Sequence, residues 1–157
     1  MKTIGGNMDK YRVLRITTLL GKDSNILVED SKNEGFRFVE RLVTEYKNGS
    51  NQFNKQGEAL YGVYSELNTL IAVGGINIDP FSNDEKVGRL RRFYVKKEFR
   101  RQGVGSILLR KIIQEAADNF SVLTLKTDTL EGDQFYTSFG FTKGNQYLNS
   151  THCFKLK

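Results

Sequence analysis

Apolar residues recur along the chain with two spacings, which predict a protein of mixed helices and strands. In Gly103–Phe120, the residues Val104, Leu108 and Ile112 return every fourth position, as on one face of a helix. Glu34–Tyr46 has the same spacing, so both segments are predicted to be amphipathic helices. Two shorter helices are expected, one with a loop in Leu19–Lys32 and one in Asp133–Phe139, where Gly140 would end it.

Shorter runs are apolar or alternate between apolar and polar residues, which predicts strands. Two of them, Glu58–Leu67 and Leu70–Ile78, are separated only by Asn68 and Thr69, so we expect a hairpin with a two-residue connection. The remaining predicted strands are Lys10–Thr18, Arg89–Val95, Val122–Thr127, Phe141–Lys143 and His152–Leu156, the last two as a closing antiparallel pair.

The centre of the sequence predicts a parallel pair of strands. Arg89–Val95, Gly103–Phe120 and Val122–Thr127 form a strand, helix and strand series, and such crossovers are almost always right-handed. Within the first of these strands Leu90 does not share a face with Phe93, which favours a bulge.

Composition indicates an ordinary globular protein. With 157 residues, 38% hydrophobic and 27% charged, the chain is interpreted as a single domain, 1–157. No apolar run has the length of a membrane span, and Met1–Asn7 lacks the apolar core of a secretory signal. The single cysteine, Cys153, excludes an internal disulfide and a multi-cysteine metal site, which is typical of a protein in the reducing cytoplasm. We therefore expect a cytoplasmic protein, and the lack of a long apolar run predicts that it does not bind membranes.

Positive charge is concentrated in one segment. The net charge is +6, and Arg89–Arg101 holds seven basic residues with Glu98 as its only acid. Such a cluster favours an anionic ligand. We expect it to lie at the start of the Gly103–Phe120 helix, where a phosphate ligand would need positive charge.

That helix start has the composition of an anion site. Arg100–Gly105 lies between the strand and the helix and contains two glycines, whose missing Cβ lets backbone amides converge. A helix N-terminus adds free N–H groups and the positive end of its dipole. Together they predict a phosphate site, although neither the dinucleotide-binding motif G-x-G-x-x-G nor the ATP-binding Walker motif G-x-x-x-x-G-K-[ST] is present.

Two motifs give the chain a family resemblance. The pattern Arg-x-x-Gly-x-Gly begins at Arg100 and follows Phe93-Tyr94-Val95, and Phe135–Phe141 reads F-Y-T-S-F-G-F. In this order and spacing, the two resemble the signatures of the GCN5-related N-acetyltransferases, the GNAT family. The resemblance implies an α/β fold with a mixed, mostly antiparallel central sheet flanked by helices, and acetyl-CoA bound where two central strands splay.

The resemblance also implies roles for individual residues. The backbone of Phe93 and Val95 would pair with the pantetheine arm, and the Val95 amide would polarise the thioester carbonyl. Tyr136 would be the general acid that protonates the leaving thiolate, with packing as the simpler alternative. The implied acetyl-CoA-binding residues are Phe93, Tyr94, Val95, Arg100, Arg101, Gln102, Gly103, Val104, Gly105, Ser106 and Thr129.

The sequence departs from the family pattern before the second motif. Many members carry Asn and Ala where this chain has Thr129 and Gly132, so the contact of that Asn with the pantetheine has no exact equivalent, and Asp128 or Thr129 is the candidate substitute. His152, the only histidine, and Cys153 are interpreted as structural.

No general base is evident in the sequence. Where several family members have a Glu, the strand before the glycine loop holds Arg89, Arg91 and Arg92. A water molecule, or Glu34 or Glu58 from outside the matching region, is the alternative.

Three functions are compared. The first is an acetyl-CoA-dependent N-acetyltransferase that acts on the primary amine of an unidentified small-molecule or peptide acceptor without a metal. The second is a CoA-binding sensor without catalysis. The third, ranked last, is a nucleic-acid binder that uses the basic segment. Acceptor contacts are expected from Leu19–Gly57 and Gly144–Ser150, and a homodimer is left open.

Overall fold

The computed structural model describes residues 10–19 and 21–157; the Met1–Asn7 segment considered above lies outside this part. Within it, seven strands form one sheet in the order β1-β2-β3-β4-β5-β7-β6. The strands are β1 Arg12–Arg15, β2 Ala59–Tyr64, β3 Leu70–Ile78, β4 Val87–Val95, β5 Val122–Leu125, β6 Thr142–Lys143 and β7 His152–Lys155. The α-helices of the described part are α1 Gly21–Asn33, α2 Phe38–Asn48, α3 Val104–Ala116 and α4 Leu130–Phe139.

The sheet is antiparallel except at its centre, where β4 and β5 run parallel. Their pairing begins at Val87 and ends at Arg89, which lies opposite Thr124. Beyond Arg89, β4 continues to Val95 without a partner on this side, so the two strands splay. The predicted fold class, a mixed and mostly antiparallel sheet flanked by helices, is confirmed.

Helices cover both faces of the sheet. Leu108, Leu109 and Ile112 of α3 are fully buried against one face. Leu27 of α1 and Leu42 of α2 are buried against the other. The apolar faces predicted for Gly103–Phe120 and Glu34–Tyr46 are therefore the faces that pack against the sheet.

A bulge interrupts β4, as its sequence pattern predicts. Arg92 has a left-handed backbone, with φ of 58°, and the register with β3 shifts between Val73 and Gly75. As a result, Leu90 and Phe93 both face α3, although they are three residues apart. Tyr94 belongs to the core on the α1 and α2 side.

Three element predictions need correction. The 13-residue helix α1 replaces the short helix and loop expected there, and α2 starts at Phe38 rather than Glu34 because a turn with Gly35 at φ of 85° precedes it. The β2–β3 connection spans residues 65–69 rather than two residues. Its turn is closed by the Ser65 amide donating to the Thr69 carbonyl (2.9 Å).

Within residues 10–19 and 21–157, no helix is both long and apolar enough to cross a membrane. The same part of the chain contains no group of three or more His, Cys, Asp or Glu residues placed to hold a metal ion.

Candidate active site

A cleft of about 920 Å³ opens where β4 and β5 diverge. It is lined by most of the predicted site residues: Phe93, Tyr94, Val95, Arg100, Arg101, Gly103, Gly105, Ser106, Thr129 and Tyr136. Gln102 and Val104 do not line it. The Val104 side chain is buried in the core, and the Gln102 side chain accepts from the Tyr11 hydroxyl and donates to the Glu98 carbonyl.

The start of α3 forms one end of the cleft. Arg101 and Gly103 both have left-handed backbones, with φ of 62° and 85°, which turn the chain sharply into the helix. The N-cap residue of α3 is Gly103, so no side chain caps the first amides of the helix. A Cβ on Gly103 would meet open space, and one on Gly105 would lie 3.5 Å from Val95 and 3.4 Å from Phe135. These free amides and this open surface fit a phosphate group.

Arg100 does not extend freely at the mouth of the cleft, contrary to the expectation that it adds charge there. Its guanidinium makes two hydrogen bonds to the Glu34 carboxylate, of 2.8 and 2.5 Å. Its Nε donates to the Val95 carbonyl (2.9 Å), and the group lies over the Tyr94 ring. Its charge is therefore balanced by Glu34. Arg101 lines the cleft, is exposed, and has no ion pair with a described residue.

The Tyr94 hydroxyl links β4 to the helix on its other side. It lies 2.5 Å from the Asp30 carboxylate and 2.6 Å from that of Glu34. Burial and these two acceptors raise the pKa of Tyr94, whereas the hydrogen bonds from Arg100 lower the pKa of Glu34. This cluster, Asp30, Glu34, Tyr94 and Arg100, fixes the end of α1 beside the glycine loop.

The end of β4 directs free backbone groups into the splay. The Lys96 amide donates to the Ile71 carbonyl of β3 (2.8 Å). Because successive residues of a strand point their backbone groups to opposite edges, those of Phe93 and Val95 face away from β3. They thus form an open strand edge along the cleft, with the Val95 carbonyl already bound to Arg100.

Tyr136 projects from α4 into an aromatic cluster at the cleft. Its ring contacts Phe93, Phe135, Phe141 and His152, with centroid distances of 5.2–6.3 Å. Only 8% of its surface is exposed, and burial raises the pKa of its phenol. The hydroxyl has no hydrogen-bond partner among the described residues, so it is a protonated donor without a protein acceptor.

The residues before α4 explain the departure from the family pattern. Thr129 is the N-cap of α4, and its hydroxyl accepts from the Gly132 amide (2.9 Å). A Cβ on Gly132 would lie 2.9 Å from Thr129 Oγ1 and still closer to Thr127 Oγ1. An alanine at position 132 would therefore clash with the two threonine hydroxyls, which accounts for the glycine in this chain. Asp128 also lines the cleft, is exposed, and has no hydrogen bond to a described residue.

Neither candidate base is in a suitable state. Glu34 is paired with Arg100, which lowers its pKa and makes it a poor proton acceptor. Glu58 is buried outside the cleft, where its carboxylate accepts from the amides of Lys55 and Ile78.

His152 stabilises the contact between α4 and β7, in keeping with its interpretation as structural. Its Nε2 lies 2.8 Å from Asp133 Oδ1 and its Nδ1 lies 2.8 Å from Thr151 Oγ1. The hydrogen bond from His152, followed by that from Lys143, lowers the pKa of Asp133. The Cys153 thiol lies 3.3 Å from the Gln146 side chain, and burial raises its pKa.

The basic segment does not lie together at the helix start, which corrects the sequence-based expectation. Arg89, Arg91 and Arg92 line the other end of the cleft together with Arg41 of α2. Sequence reasoning recognised the β4 arginines as a cluster and placed them at the wrong end, and it did not single out Arg41. The signal that could have placed the β4 arginines correctly is the bulge at Arg92, which directs both Arg91 and Arg92 toward α2 and away from the start of α3.

Comparison with known proteins gives consistent matches. The acetyltransferase (GNAT) family model matches residues 26–141. Human N-acetyltransferase 8 is 31% identical over 96 residues, which are 59% of this chain and 42% of the human protein. The chain thus spans less than half the length of that relative.

Solved structures match over nearly the whole chain. A candidate acetyltransferase from Exiguobacterium sp. 255-15 superposes with a TM-score of 0.82 and 31% identity, covering 92% of this chain and 93% of that one. The ribosomal-protein-S18-alanine N-acetyltransferase from Escherichia coli superposes with a TM-score of 0.62 and 15% identity, covering 91% and 88%. At that lower identity, the second match shows the fold alone.

Proposed function

Because the chain belongs to the GNAT acetyltransferase family, we propose that it is an acetyl-CoA-dependent N-acetyltransferase that transfers the acetyl group directly to a primary amine of a small-molecule or peptide acceptor. One observation carries the proposal. A single cleft contains the uncapped start of α3, the open edge of β4 and the unpartnered Tyr136 hydroxyl.

The chain's own groups would hold the cosubstrate along this cleft. The first amides of α3 would bind the pyrophosphate, and the backbone of Phe93 and Val95 would pair with the pantetheine arm as an added strand. Acetyl-CoA supplies the acetyl group in an activated thioester. Thr129 already caps α4, so the exposed Asp128 carboxylate is the better placed of the two candidates for the contact that an Asn makes in other members.

The transfer step uses two of these groups. As the neutral amine forms its bond to the acetyl carbon, the Val95 amide would donate a hydrogen bond to the carbonyl oxygen. As the carbon–sulfur bond breaks, the Tyr136 phenol would give its proton to the leaving sulfur, a role that suits a group protonated at neutral pH. The acceptor amine loses its proton to water, since neither Glu34 nor Glu58 is a suitable base, and the Tyr136 phenolate regains a proton from solvent.

Calorimetry with acetyl-CoA and release of free CoA in the presence of primary amines test this function. We expect a dissociation constant of about 10 µM or tighter and acetyl transfer to at least one amine. Absence of acetyl-CoA binding by the folded protein would contradict the proposal. Tight binding with no transfer to a broad amine panel would instead favour a sensor that binds CoA.

A further inference from the structure

The end of the cleft opposite the α3 start is lined by four arginines, which we call the arginine wall: Arg41, Arg89, Arg91 and Arg92. A strand rises about 3.3 Å per residue, so Arg91 lies roughly 13 Å along β4 from Val95 and Arg89 roughly 20 Å. Arg89 and Arg91 therefore leave β4 well away from Val95, the residue next to which a Cβ on Gly105 of α3 would lie.

Carboxylates match only part of the charge of the arginine wall. Arg92 donates to Glu45 (2.9 Å), and Arg89 lies 3.7 Å from Asp79. The Asp79 carboxylate is also shared, since it accepts hydrogen bonds from the Phe81 amide and from the Ser82 and Thr124 hydroxyls. Two buried donor atoms, Arg89 Nη1 and Arg92 Nε, have no hydrogen-bond partner among the described residues.

The other two arginines have no counter-charge in contact. The Arg41 amide donates to the Arg37 carbonyl, but neither the Arg41 nor the Arg91 side chain forms a hydrogen bond or an ion pair with a residue in the described part of the chain. Arg91 is partly buried, and burial together with the neighbouring Arg92 lowers its pKa. The arginine wall thus has two positive charges more than its two carboxylate partners balance, in a partly enclosed site.

Guanidinium groups bind carboxylates and phosphates through two parallel hydrogen bonds, and a free, partly desolvated arginine gains most from such a partner. This inference rests on the proposed function and narrows its acceptor. We infer that the acceptor is a small primary amine that carries an anionic oxygen group, a carboxylate or a phosphate, which Arg91 and its neighbours hold while the amine reaches the acetyl group.

The excess positive charge would have a second effect on such an acceptor. Nearby positive charge disfavours an ammonium and so lowers the pKa of the amine. A bound carboxylate offsets only one of the two unbalanced charges, so with such an acceptor the arginine wall would still raise the fraction of neutral amine.

Matched pairs of acceptors test the inference through the rate of CoA release. L-Amino acids are compared with their α-amides, and O-phosphoethanolamine is compared with ethanolamine. The amine of an α-amide is less basic than that of the acid, so its intrinsic reactivity at neutral pH works against our expectation. We expect kcat/KM at least tenfold higher for the anionic member of a pair, and the pair that shows it identifies carboxylate or phosphate.

Variants connect this preference to the arginine wall. Arg91→Gln should raise KM for the anionic member at least tenfold, about 1.4 kcal/mol, and leave KM for the neutral member and the acetyl-CoA dissociation constant unchanged. Arg37→Gln is the matched control, because Arg37 lies outside the cleft, exposed at the start of α2. It removes the same charge and should change none of these values.

The outcomes separate the inference from the proposed function. If acetyl-CoA binds but neutral amines are used as well as anionic ones, or no member of either pair is acetylated, the anionic acceptor is wrong and the cosubstrate site stands. The same holds if Arg91→Gln slows both members of a pair equally. If acetyl-CoA does not bind, the proposed function fails and this inference fails with it.

Discussion

The Tyr136 hydroxyl is the residue on which the proposed chemistry depends most. We predict that Tyr136→Phe lowers kcat by a factor of about 10 to 1,000, because the leaving sulfur loses its proton donor and water replaces it only in part. The acetyl-CoA dissociation constant and the melting temperature should hardly change, since the ring keeps its contacts with Phe93 and Phe135. Steady-state kinetics and calorimetry on the same preparation measure both.

The control for this substitution is Tyr64→Phe, which removes a hydroxyl from β2, outside the cleft. It should leave kcat unchanged. Wild-type turnover in the Tyr136→Phe variant, under conditions where acetyl transfer limits the rate, would reduce Tyr136 to a packing residue.

The two glycines of the loop differ in what a substitution there would test. At Gly103 a side chain would be strained by the left-handed backbone, so a variant would change the fold as well as the site. Gly105 has no such constraint, and its Cβ would lie between Val95 and Phe135 at contact distance. We predict that Gly105→Val weakens acetyl-CoA binding at least tenfold, about 1.4 kcal/mol, by calorimetry.

Gly105→Ala should weaken binding less, because its single methyl group fits at ordinary van der Waals distance. Circular dichroism on both variants checks the fold. Unchanged affinity in a folded Gly105→Val protein would mean that the cosubstrate does not approach this face of α3.

Residue identities at the cleft could be predicted from the sequence only where a local motif names them. The glycine loop and Tyr136 lie in short, recognisable patterns. The pairing of Arg100 with Glu34 could not be predicted, because the two residues are far apart in sequence and are brought together by the packing of α1 on β4. For the same reason, the sequence offered Glu34 as a candidate base, whereas its pairing with Arg100 lowers the pKa of Glu34 and makes it a poor proton acceptor.

At the scale of elements, the contact between the end of α1 and the end of β4 depends on the ion pair of Glu34 with Arg100. Arg100 lowers the pKa of Glu34 below its usual 4.5. A lowered pKa in the folded state means that the pair stabilises the fold above about pH 4.5 and that this stabilisation is lost as the pH falls through the folded-state pKa. We predict that Glu34→Gln lowers the free energy of unfolding at pH 7 by about 1–2 kcal/mol, because charge-assisted hydrogen bonds are lost.

Urea unfolding at pH 7 and at pH 3 tests this prediction. The difference between wild type and Glu34→Gln should be smaller at pH 3, because below about pH 4.5 the unfolded chain takes up the proton and the ionised pair adds less stability. Glu40→Gln, which breaks exposed ion pairs on α2, is the control and should change stability by less. Equal differences at both pH values would exclude the ion pair as the source.

The elements that the sequence predicted well are those with a strong period. α3 has an apolar residue at every expected position, and its packing face is the predicted one. In α1 the apolar residues Ile26, Leu27 and Val28 are adjacent rather than spaced, so the helical pattern is weak even though Leu27 is fully buried. Tertiary packing, which a single segment does not display, stabilises this helix.

At the scale of the whole molecule, the net charge of +6 should assist an anionic cosubstrate. We predict that raising the ionic strength from about 0.05 M to about 0.5 M weakens acetyl-CoA binding by a factor of about 3 to 10, since exposed charges such as Arg101 are screened. Calorimetry at four salt concentrations gives the slope, and Arg101→Gln should make it shallower. Affinity independent of salt would assign the free positive charge to another partner.

The order of elements and the two motifs were enough to predict the sheet and its splay, because both are properties of the family and of local patterns. The distribution of charge over the molecule was not predictable in the same way. Of the seven basic residues in this segment, five line the cleft, Arg89, Arg91 and Arg92 at one end and Arg100 and Arg101 at the other, whereas the two lysines do not. The path of β4 determines which residue lies at which end.

The extra residue at Arg92 has a consequence for how this strand tolerates change. It divides β4 into two halves of opposite parity, so that odd-numbered positions point to α2 before it and to α3 after it. Arg89 and Arg91 can thus line one wall of the cleft while Phe93 and Val95 line the other. A regular strand of the same length, without the bulge, would turn Phe93 toward the arginines. The left-handed backbone at Arg92, more than any single side chain in this strand, keeps the two walls apart.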